Sequence, residues 1–386
     1  MKEMLSIVGS VSLLAMLGAC SSSMGDMGSG STADGGMGSM GDAGRGSAGD
    51  GGMDMGDGGM TTPSGDPTSV AIAPVTVDAV YVINGGDKSI SVVDPAKSAV
   101  IGTIKLQNVS FPHHAYLSPD RSMLAVADPG MDFSGGHTGG MEGMKGAILV
   151  LDAKTGATMA SRRMDAMNHN GAFSPDGSEI WTSAMTMAGK VLVLDAMTLK
   201  TKMSITVGDM PAEVTFAKDG KHAFVANGMS NDVTVIDTAT KAVVKTVPVD
   251  QDPVGAWPGA NGVMYVDCET AKTVKAIDAT TFAVTQTYKL GFTPGMAKTT
   301  PAGNSLWVTN SDTGEVVFDM TTQDMTMGKT ATGVGAHGIA FSDDAKLGFV
   351  TNQGAGTLTI LNVGTQKVVG NVTVGAKPNG LVFRAR

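Results

Sequence analysis

The chain has only two cysteines, Cys20 and Cys268, among 386 residues. A disulfide framework is therefore excluded as the source of its stability. It has no basic block, and 27 Lys and Arg stand against 36 Asp and Glu. The electrostatic footprint of a nucleic-acid partner is missing, and none is expected. The apolar run Met4 to Ala19 is too short to cross a bilayer comfortably. Beyond Val80 no sustained helical period appears. Paired carboxylates and a nucleophile constellation are also absent from suitable positions, so the reading leans away from an enzyme.

The first part of the chain resembles an export signal. Lys2 precedes the apolar run, which ends in Leu17-Gly18-Ala19-Cys20. That ending resembles the lipobox of bacterial lipoproteins, which implies cleavage before Cys20 and lipidation of its thiol. Ser21 follows rather than Asp, and in Gram-negative lipoproteins this implies the outer membrane. Residues 1–19 are read as a signal peptide and residues 20–74 as a lipidated, Met/Gly-rich, disordered tether. The tether is rich in Gly, Ser, Asp and Met and has almost no large branched or aromatic residues. It cannot bury enough apolar surface to offset the entropy of ordering. A coil of that length spans roughly 40 Å root-mean-square. The implied location is the cell envelope, with the folded part facing the periplasm or the surface of the outer membrane.

Residues 75–386 read as an all-β domain. Tyr81-Val82-Ile83-Asn84, Phe224-Val225-Ala226-Asn227 and Phe349-Val350-Thr351-Asn352 each precede a polar loop and a second β run. One position recurs as His113, His169, Ala212, Pro253, Gly295, His337 and Asn379, with spacings of 43, 41, 42, 42 and 42 after the first pair. A period in the low forties, carrying four strands, predicts a β-propeller. Seven slots predict seven four-stranded antiparallel blades. The last strand, around Leu381, completes the blade begun at Val80 and closes the ring. These strands and turns resemble the YVTN family of bacterial propellers. Asp94, Asp152, Asp195, Asp237, Asp278 and Asp319 end the third strands and are expected to form turns.

The first spacing, from His113 to His169, is 56 residues. The excess lies in an insertion at 129–146 that carries Met131, His137, Met141 and Met144. Blade topology puts this loop on the same face as His113, His169 and His337. Met164, Met167, Met185, Met187, Met210 and Met229 belong to loops of that face too. Imidazole and thioether together suit copper, above all Cu(I). The candidate ligands are His113, His169 and His337, with His137, Met131, Met141, Met144 and Met167 around them. His114 is a further candidate, although a regular strand would turn it away from His113. Glu213, Asp209 and Asp252 also fall near this mouth and are expected to be solvated.

The adjacent His113-His114, with His169 and His337, also resembles part of the propeller of nitrous-oxide reductase, where histidines from every blade hold a copper–sulfide cluster. Ala212, Pro253, Gly295 and Asn379 depart from that pattern, and no second copper domain accompanies it. A multicopper cluster and reductase chemistry are not expected. The functional expectation is a lipid-anchored, monomeric propeller that binds copper for tolerance, storage or delivery. The alternative is a non-catalytic scaffold that holds an envelope protein or a glycan.

Overall fold

The computed structural model describes residues 63–134, 143–318 and 328–386. Among them all regular structure is β-strand. The strands form seven antiparallel sheets, one per blade. Their innermost strands pack one against the next around a ring. Numbered from the closing blade, these are Pro378–Arg384, Ala115–Leu117, Ala172–Phe173, Pro211–Phe216, Pro253–Pro258, Pro294–Thr299 and Ala336–Phe341. The ring closes where Pro378–Arg384 pairs with Ala79–Asn84, so that chain end and chain start share blade one. The segment read as a signal peptide, Cys20 and the methionines up to Met60 lie outside the described residues, as do His137, Met141 and Asp319.

The expected boundary at residue 75 is corrected. Thr68–Val70 is already a strand, added as a fifth member at the outer edge of blade one against Lys105, Leu106 and Gln107. Ser69 hydrogen-bonds Thr158 Oγ1 and the Gly156 carbonyl, and Ile72 N–H donates to the Thr155 carbonyl. The segment thus fastens blade one to blade two. Its composition gives no strand signal because the partners that order it are about ninety residues away.

The core lies between blades. Trp181 and Val193 of blade three pack on Val225 and Ile236 of blade four. Phe349 and Ile360 of blade seven pack on Val80 and Val93 of blade one. This is why most strands read as continuous apolar runs: both faces of each sheet are covered. The strand-end asparagines lock the hairpins that follow them. Asn84 Nδ2 donates to Ser89 Oγ and Ser91 Oγ, and Asn352 Nδ2 donates to Thr357 Oγ1 and Thr359 Oγ1. The third-strand aspartates form the expected turns. Asp94, Asp152, Asp195, Asp237 and Asp278 each accept two backbone N–H bonds, at 2.7–3.2 Å.

The Ser-x-Asp turns after the innermost strands make a similar knot. Asp120, Asp176 and Asp344 accept from Ser118, Ser174 and Ser342 at 2.6–2.7 Å. These hydroxyl bonds lead the causes that lower Asp176 and Asp344 from an ordinary 3.8 to about 2. A carboxylate depressed in the folded state stabilises it above the unfolded pKa and loses that contribution as pH falls through the folded one. The melting temperature should therefore drop between pH of about 4 and 2, and Asp176→Asn should flatten part of that drop. A set of thermal melts across this range checks it.

Candidate metal centre

Each innermost strand begins irregularly where the recurrent slot stands. His113 N–H donates to the Ala127 carbonyl, while Ala127 N–H donates to the His114 carbonyl. Two residues thus oppose one, which is a β-bulge, and regular pairing starts only at Ala115. Register shifts fall at the same place in the strands starting at Pro211, Pro253, Pro294 and Ala336. A bulge re-aims side chains. The alternation that would have separated His113 from His114 does not apply, and that expectation is corrected: both rings enter one site. Gly380 of blade one leaves room for them. A Cβ there would stand 2.7 Å from His114 Nδ1 and 2.8 Å from the His113 carbonyl.

His113, His114 and His169 are all buried, and one ring nitrogen from each lies within 4.8 Å of the others. Their ring centroids are 4.4, 4.7 and 4.9 Å apart. His337 stands further back, with its ring 5.8 Å from His113 and 6.1 Å from His114. The slot therefore does bring its three histidines to one place, with His114 inside the tightest group and His337 at its edge.

His169 is held by the asparagines that flank it. Asn168 Nδ2 donates to the Ala147 carbonyl of blade two, at 3.2 Å. Asn170 exchanges two bonds with the Val214 backbone of blade four, at 2.7 and 3.1 Å. The triplet Asn168-His169-Asn170 thus spans three blades and leaves the imidazole little freedom.

The expectation that Glu213 is solvated is also corrected. It is fully buried, and its Oε2 lies 2.7 Å from His169 Nδ1 and 4.0 Å from His114 Nε2. Its Oε1 accepts from the Tyr116 hydroxyl, reached from blade two, two blades away. Burial, then the Glu213 charge, pushes the Tyr116 hydroxyl well above its ordinary pKa and keeps it a donor. Glu213 and His114 occupy equivalent positions, each one residue past the slot of its blade. On the far side, the His114 ring lies 5.9 Å from Trp257 of blade five, whose indole N–H is bound by Asp267. Burial, then the charge of Glu269, pushes the Asp267 carboxyl up to about 7.

The methionines assemble as an apolar cap. Phe133, Met167, Met185, Ala212 and Val254 form one buried cluster, with Met131, Met144 and Met210 packed against it. The Phe133 ring is 5.6 Å from His113 and 5.7 Å from His169. Met164 instead packs between blades two and three, and Met187 and Met229 are exposed. The inserted loop is tied down beside the cap by Lys377, which binds Asp132 and Ser134 Oγ. A cavity of about 240 Å³ adjoins it, lined by Pro63, Phe111, Gly130 and Met131 among others. A larger cavity of about 450 Å³ opens at the opposite face around Glu179 and His222. The Glu179 carboxylate there is already paired with Lys202 and Lys241, at 2.9 and 2.6 Å.

Searched against protein families and against characterised proteins, the chain finds no match. Solved structures do share its fold. The periplasmic gluconolactonase PpgL of Pseudomonas aeruginosa is 18% identical with a TM-score of 0.63, over 80% of this chain and 99% of that one. A putative 6-phosphogluconolactonase from Bacteroides uniformis is 14% identical with a TM-score of 0.62, over 80% and 100%. Hydrazine synthase of Kuenenia stuttgartiensis is 19% identical with a TM-score of 0.60, over 70% and 89%. At such identities the likeness carries the ring of seven blades and says nothing of what the mouth binds.

Proposed function

We propose that this propeller binds copper at its histidine mouth and is held in the cell envelope by a lipid on Cys20. The observation that carries the reading is three buried imidazoles with ring nitrogens within 4.8 Å of one another. The donor set fits a transition metal. Neutral imidazole is a general ligand for zinc, copper and nickel. A carboxylate on the remote nitrogen of His169 is the usual outer-shell support of a metal-bound imidazole. Copper is favoured over zinc by the thioethers gathered over the site and by the seven methionines from Met24 to Met60. Capture by the tether and holding by the mouth would serve tolerance, storage or delivery.

Protein purified from copper-supplemented cells without the anchor should carry about one copper per chain at the histidine mouth. Removal of residues 21–62 should leave that ion in place. Elemental analysis of both forms decides the matter. Metal-free protein from such cells would sink the copper reading and turn attention to a protein or glycan ligand at the same mouth.

A further inference from the structure

Glu213 is a carboxylate built into the histidine layer. The equivalent positions of the neighbouring blades hold Asn170 and Gly255, which close their blades without a charge. Glu213 nevertheless sits fully buried between His169 and His114, with Tyr116 on its other oxygen. The Tyr116 hydroxyl donates to Oε1, and a His169 ring protonated on Nδ1 donates to Oε2. That arrangement suits an ionised carboxylate. It also commits Nε2 of His169 to whatever the cluster holds.

Resting on the reading of the histidines as a copper site, we propose that Glu213 is its positioning residue and that the Tyr116–Glu213–His169 chain sets the preference between Cu(II) and Cu(I). Two effects act together. The hydrogen bond fixes the tautomer and the ring direction of His169. The negative charge attracts a dication about twice as strongly as a monocation at the same place, because the Coulomb energy scales with the product of charges. In a dry pocket this difference is not screened away. Tyr116 moderates both: by donating to Oε1 it withdraws charge from the carboxylate, so that less is passed to His169.

The test uses two variants with opposite expected signs and measures Cu(I) and Cu(II) affinity separately, by competition with chelators specific for each ion. Glu213→Gln keeps the shape and an acceptor for His169 but removes the charge. It should lower Cu(II) affinity about 100-fold and Cu(I) affinity about 10-fold, within the range that outer-shell changes produce. Tyr116→Phe should move the ratio the other way, raising the preference for Cu(II). An equal loss of both ions in both variants would mark the chain as merely structural and overturn the proposal. An unchanged ratio in Tyr116→Phe alone is enough to do so if Glu213→Gln does not fold. Wild-type protein that binds neither ion removes the copper site and this inference with it. Wild-type binding with unshifted variants removes only the inference.

Discussion

A chain ending at Lys377 should fail to fold cooperatively. The missing segment, Pro378–Arg384, is the innermost strand of blade one and pairs with Ala79–Asn84 along its length. Without it the ladder of Ala79–Asn84 becomes an open edge facing the central channel. Leu381 is buried between blades seven and one, with Phe383 against the same cluster. Full burial of such side chains contributes about 1.5–3 kcal/mol each. Thr351 Oγ1 also donates to the Asn379 carbonyl, and Gly380 N–H to the His113 carbonyl. These contacts join blade seven to blade one and blade one to blade two. Against a total stability of about 5–15 kcal/mol, losing all of them together removes most of the margin. Urea unfolding followed by circular dichroism should show a broad, non-cooperative loss of β signal or an aggregated product. A sharp transition with its midpoint unchanged would mean that ring closure contributes little.

Ring closure was legible in the sequence because blade strands are local patterns repeated at a fixed period. Apolar runs, the strand-end asparagines and the third-strand aspartates repeat in register, and their hydrogen bonds are made within two to seven residues. Thr68–Val70 was not legible because what orders it is contact with Thr158 and Gly156, not its own pattern. The candidate site was legible at one position per blade. The slot of His113 gathers three histidines, as its recurrence implied. The next position was not legible. Strand alternation assigns His114 and Glu213 to the wrong environment, and only the bulge at each innermost strand explains why both turn into the site. The signal that could have exposed this is the run of polar residues one past the slot in three successive blades, His114, Asn170 and Glu213.

Replacing His113, His114 and His169 should separate a metal site from a packed polar core. In a tetrahedral site with metal–nitrogen distances of about 2.0–2.1 Å, ligand nitrogens stand about 3.4 Å apart. The nitrogens here lie within 4.8 Å of one another. Ring rotations could close that gap without moving the backbone, which bulge and asparagine bonds hold in place. Each of the three single alanine variants should therefore lower copper affinity by about 10-fold or more, and the triple variant should abolish measurable binding. His337→Ala should cost less, because that ring lies 5.8 Å from His113 at the edge of the group. Burial offers a second readout. The alanines at 113 and 169 leave a space beneath Phe133, whose ring rests on His113 and His169. Metal-free variants should therefore melt somewhat lower than metal-free wild type, while the stabilisation gained on adding copper should vanish. A ligand bound more tightly to the native than to the unfolded state raises the melting point, and more so as its concentration exceeds its Kd. Thermal melts with and without added copper thus distinguish the two roles. Histidines that only pack would lower the baseline melt and leave no copper-dependent rise to lose, whereas histidines that bind the ion lose that rise in order: the three close rings first and His337 last.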